Sequence, residues 1–179
     1  MAIPRSLFEV VVKESNENRQ FWLNQEWLQE RKKQVENAEI LAVPWINFRE
    51  DQPALFPLGS DDVVNELRRF GGTVIDFAID EINYREIMMH SDTYRLPKLF
   101  LKNIVLPALA GLLGNLMTEY LKAGAETDRV EVTLIIEGDH GKCISLDYKG
   151  PPTRLVETIL SESNRCFPKS VSSNKEPIK

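Results

Sequence analysis

Histidine and cysteine are scarce in this chain, with two of each. A histidine-rich metal centre within one subunit is therefore excluded. Cys143 and Cys166 form neither a CxxC pair nor a zinc spacing. Both are expected to be reduced thiols, because a disulfide between them would need an oxidising compartment to which no other feature points. Long apolar runs are missing as well. The longest stretch without charge, Asn103 to Thr118, falls short of the roughly 20 residues of a bilayer span and contains Pro107, Gly111 and Gly114. Behind Met1 the charges of Glu9, Lys13 and Glu14 come too early for the apolar region of a secretory signal. A cytoplasmic setting with no transmembrane span is the expectation. Phosphate loops of the GxxxxGK[ST] or GxGxxG kind are absent, and so is a GxSxG elbow.

What is present is ordinary globular composition. The chain has 179 residues, 42% hydrophobic and 27% charged, enough to bury a core without staples. The net charge of −5 repels phosphates at long range, so broad nucleic-acid binding is not expected.

The pattern along the chain predicts an α+β fold dominated by helices. Ser15 can cap a long helix to about Ala38, with Phe21, Leu28 and Val35 in one stripe. Trp22 falls outside that stripe. It is either a local contact with the following loop or an anchor for a partner, since tryptophan is enriched at interface hot spots. Residues 39–60 read as a short strand at Leu41–Trp45 and a long loop holding the aromatics Trp45, Phe48 and Phe56. A helix follows Ser60, with Asp61 and Asp62 in its first turn, and Gly71-Gly72 stops it. Residues 73–90 fit a strand or a helix, and helix is favoured. Residues 98–122 read as a central helix, apolar nearly all round, with Pro107 bending or dividing it. The clearest signal is a hairpin. Val130, Val132, Leu134 and Ile136 alternate along one strand, Gly138–Gly141 turn, and Ile144, Leu146 and Tyr148 alternate along the other. Thr153 then caps a short helix. The hairpin, the Tyr148-Lys149-Gly150-Pro151 break and that helix resemble the way small bacterial accessory domains end, a likeness that carries no functional residue.

The expected architecture is thus three to four helices around an apolar central helix, with a C-terminal β-hairpin, possible third strand, and short helix. Residues 1–162 form a single α+β domain: long N-terminal helix at about 15–38, aromatic loop 39–60, helical region 61–122, and hairpin with helix 129–162. Residues 163–179 read as a mobile tail.

Chemistry is thinly signalled. Asp76 and Asp80 would share a helix face and, with Glu81, could hold a divalent metal for a hydrolase, although further ligands are not identifiable and a solvated acidic face is the favoured reading. His90-Ser91-Asp92 has the residue types of a triad but not its geometry, and reads as a helix end. Asp139 and His140 belong to the hairpin turn. Three functions remain. The favoured one is a non-catalytic interaction protein or accessory subunit that binds a protein partner or forms a homo-oligomer, using Trp22, Trp45 and Phe56, with no cofactor and no metal. The alternatives are a metal-dependent hydrolase at Asp76, Asp80 and Glu81, and peripheral membrane association through residues 99–117.

Overall fold

The apolar alternation from Val130 to Ile136 builds a strand in the middle of a broad sheet rather than one arm of an appended hairpin. The computed structural model describes residues 8–89, 93–122 and 128–168. Its strands are β1 (Glu9–Ser15), β2 (Ile40–Val43), β3 (Trp45–Arg49), β4 (Gln52–Pro57), β5 (Ile75–Phe77), β6 (Glu86–Ile87), β7 (Thr93–Arg95), β8 (Lys98–Lys102), β9 (Arg129–Glu137) and β10 (Cys143–Gly150). Its α-helices are α1 (Arg19–Leu23), α2 (Lys32–Val35), α3 (Ser60–Phe70), α4 (Leu106–Asn115) and α5 (Leu155–Cys166). One mixed sheet runs β1-β10-β9-β8-β2-β5, with β7 beside β8 on the same flank of β9. A second, small sheet runs β3-β4-β6. The helix-dominated architecture expected from the pattern is therefore wrong: the fold is strand-rich.

Each misreading has a local cause. The segment 98–122 is apolar because β8 is buried on both faces: Leu99, Phe100 and Leu101 are all inside. Such a strand shows no alternation and mimics a buried helix. Pro107 does not bend a helix but opens α4, where its missing N–H costs nothing. Helix 15–38 is replaced by the end of β1 and two short helices. Asn18 caps α1 by accepting the Phe21 N–H at 2.9 Å, and Asn24 ends it. Residues 73–89 are strand, turn and strand, not helix, and residue 90 lies outside the described residues. The β9–β10 hairpin, the helix α5 after the Gly150-Pro151-Pro152 break and α3 lie where the pattern puts them; α3 runs from Ser60 to Phe70, and Gly71 stops it with φ +78°, a conformation that favours glycine. The expected tail from residue 163 is overtaken by α5, which runs to Cys166, and the rest of that expectation, residues 169–179, lies outside the described residues.

The two faces of the main sheet differ. One carries Leu134 and Ile136, paired across strands with Leu146 and Ile144 and with Leu99 and Leu101. At these positions it is apolar and buried, as a face under helices must be. The helices form a row, α3 on α4 and α4 on α5, with α3 also meeting β5 and α5 meeting β10. The other face is apolar only at its centre, at Leu41, Phe100 and Ile135. Toward β10 and β1 it becomes polar and open, with Glu131 facing Lys149 and Thr133 facing Asp147.

Candidate interaction surface

β4 and β6 run parallel and leave the small sheet at the same end, where the Leu58 N–H donates to the Ile87 carbonyl at 3.0 Å. Leu58, Met88 and Met89 therefore emerge together, around a shallow cavity of about 160 Å³ that Arg95 also lines. Met89 and Arg95 line a second cleft too, about 370 Å³, whose other wall is Trp45, Ile46 and Phe48. The shared residues make one continuous strip. Its apolar side chains are far from buried: Met88 is 62% exposed, Leu58 55% and Phe48 46%. Single exposed apolar residues are normal on a surface, whereas a contiguous group marks a contact site.

Local backbone chemistry produces the strip. β3 and β4 lose register between Ile46 and Arg49, and within that bulge Asn47 takes φ +54°. Asparagine tolerates the left-handed region better than other residues with a Cβ. A bulge re-aims the side chains beside it. Phe48 stands outward there, its ring 5.2 Å from the ring of half-buried Trp45.

The carboxylates singled out in the sequence do other work. Asp76 lies on β5, where it accepts from the guanidinium of Arg31, from Arg68 at 3.2 Å and from the Phe77 N–H at 2.8 Å. Asp80 is 3% exposed and accepts three backbone N–H groups, those of Gln29, Glu30 and Arg31. Burial alone would raise its pKa. The three donors and the charge of Arg31 outweigh burial and hold it below the usual carboxylate value. Glu81 is exposed in the following turn. The helix face that was to join Asp76 and Asp80 does not exist, because residues 75–80 are strand and loop. Among the described residues no three His, Cys, Asp or Glu side chains converge as metal ligands.

Two of the three expected anchors are interior. Trp22 is fully buried, its indole N–H donating to the Glu17 carbonyl at 3.1 Å. Phe56 is fully buried, stacked on Tyr84 at 5.0 Å and edge-on to Phe77 at 5.4 Å. Neither can meet a partner without unfolding its surroundings, and only Trp45 reaches the surface. Tyr84 donates to Glu86 at 2.8 Å, and burial followed by that carboxylate pushes its pKa well up. Burial, with Glu137, pushes the Cys143 thiol up to about 11, so it is a poor nucleophile. His90, Ser91 and Asp92 lie outside the described residues, and His140 is exposed in the hairpin turn. No described helix is long and apolar enough to cross a membrane. Leu99–Leu101, which the membrane reading relied on, are an interior strand. Leu58, Met88 and Met89 escaped the sequence reading. Treating 73–90 as helix hid the strand that carries the two methionines to the surface, and Leu58 pairs with that segment only in three dimensions.

No known family, curated protein or solved structure matches this chain.

Proposed function

We propose that this chain is a non-catalytic interaction protein or accessory subunit that binds a protein partner through the strip Leu58, Met88, Met89, Phe48 and Trp45. The observation that carries the reading is the exposure of these side chains as one continuous surface. Methionine suits such a surface, because its unbranched, polarizable side chain repacks against different partners. Trp45 and Phe48 supply rigid aromatic area at one end of the strip, and aromatic residues are enriched at hot spots. Arg95, shared by both cavities, gives the strip a polar flank of the kind that rims interfaces.

A photo-crosslinking residue at Phe48 should capture a discrete protein in the native cell. The same residue at Glu157, exposed on α5, should not. Phe48→Asp with Met88→Asp should abolish that capture and leave the melting temperature unchanged, since surface substitutions usually cost within about 0.5 kcal/mol. Equal labelling from Phe48 and Glu157, or capture that survives the double substitution, would remove the strip from any role in binding.

A further inference from the structure

The open face of the main sheet carries a row of side chains whose charges alternate from strand to strand. Arg95 on β7 faces Glu131 on β9, Glu131 faces Lys149 on β10, and Lys149 faces Glu9 on β1. Arg95 and Glu131 approach to 3.3 Å. Opposite charges at facing positions stabilise a sheet and like charges destabilise it. The row stops at Glu9, because among the described residues β1 pairs with β10 alone. β1 is thus a sheet edge of 7 residues, without proline or bulge, and one flank of its N–H and C=O groups is open. Val10 and Val12 pack on the core but are only partly buried, and Val11 is exposed.

The β1 sequence is complementary to itself. When two copies pair antiparallel, the outward-facing groups of both strands meet only if the paired residue numbers add up to an even value. The register centred on Val11 satisfies this. It sets Glu9 against Lys13, Val10 against Val12, and Val11 against its own copy. Residues 9, 11 and 13 share the open face, so the alternating row continues as Arg95, Glu131, Lys149, Glu9 and then the second copy's Lys13. The register centred on Val12 sets Val10 against Glu14 and Val11 against Lys13, which breaks both the charge row and the apolar pairs.

We infer that a second copy of this chain docks on the β1 edge, as a two-fold antiparallel pair centred on Val11, so that one sheet runs through both subunits. The second copy's strand covers the open flank of Val10 and Val12. The docking edge β1 contributes no residue to the strip described above, although the charge row that ends on it starts at Arg95 beside that strip, and either contact can fail without the other.

The test uses the full chain with Cys166→Ser, leaving only the buried Cys143. Val11→Cys with copper phenanthroline should give a disulfide-linked dimer, because facing Cα atoms lie about 4.5–5.5 Å apart, within disulfide reach. Glu14→Cys should not, because in this register it is far from its own copy. By sedimentation equilibrium, Lys13→Glu should weaken the dimer by about tenfold. Its melting temperature should hold, since the neighbour of Lys13 within the sheet is the uncharged Ser145. Adding Glu9→Lys to Lys13→Glu should recover dimerisation relative to Lys13→Glu alone. A monomer at high concentration with no Val11→Cys cross-link would overturn the inference. So would equal cross-linking from Glu14→Cys, or a dimer indifferent to Lys13→Glu.

Discussion

Trp22→Ala should destabilise the fold by about 3–5 kcal/mol, the usual range for removing a buried tryptophan. In a chain of this size that corresponds to a melting temperature lower by roughly 10 °C. The ring is fully buried, and several interactions end with it. Its N–H holds the Glu17 carbonyl at 3.1 Å, the Phe21 ring stands edge-on at 4.9 Å, and the Lys98 ammonium sits 5.1 Å from its centre. Lys98 is itself tied to Glu17 at 2.8 Å, so the truncation also loosens that ion pair. Through these contacts α1 is held against Lys98 at the start of β8. Trp22→Phe, which keeps an aromatic ring but loses the N–H bond and part of the buried volume, should cost less. Thermal and urea unfolding monitored by circular dichroism measure both. If Trp22→Ala kept the native melting temperature and weakened only association, Trp22 would be a surface anchor after all.

The same residue shows where sequence reasoning reached and where it stopped. Trp22 was out of register only with respect to a helix from Ser15 to Ala38 that does not form. On the actual five-residue α1, Trp22 and Leu23 are the buried positions. Hairpin β9–β10 and helix α3 were legible because their signals are local: alternation with a turn between, and acidic residues with a glycine stop. β8 was not, because a strand covered on both faces carries no period. The exposed strip was half legible. Trp45 and Phe48 stood out in an aromatic loop, but their meeting with Met89 depends on β4 pairing with β6, a contact that neither segment advertises. The candidate metal site failed for a related reason. Acidic residues close in sequence suggested a shared ion, while the structure sends each to partners far away along the chain.

Asp80→Asn isolates the most consequential of those long-range contacts. The chain from Trp27 to Arg31 is where the expected N-terminal helix breaks, and the carboxylate of Asp80 holds that break in place. It accepts from Gln29 at 2.8 Å, Glu30 at 3.1 Å and Arg31 at 3.0 Å, while the Asp80 N–H donates to the Trp27 carbonyl at 2.8 Å. Arg31 then reaches across to the Ile79 and Phe77 carbonyls and to Asp76. An asparagine fits the same space but has one acceptor oxygen and an amide that points donors at donors. At least one half-buried N–H loses its partner, and a charged acceptor is lost, at a cost of about 1–3 kcal/mol. The pH dependence gives a second readout. The folded-state pKa of Asp80 lies below its ordinary value, so its contribution to stability is fully present above the unfolded pKa of about 3.9 and is lost as pH falls through the folded value. The native chain should therefore lose stability on acidification below about pH 5, and Asp80→Asn should lose less over the same window, so the two curves converge at low pH. Urea midpoints from pH 7 down to pH 3 measure this. Parallel curves for the two proteins would mean that the Asp80 carboxylate does not hold the 27–31 segment.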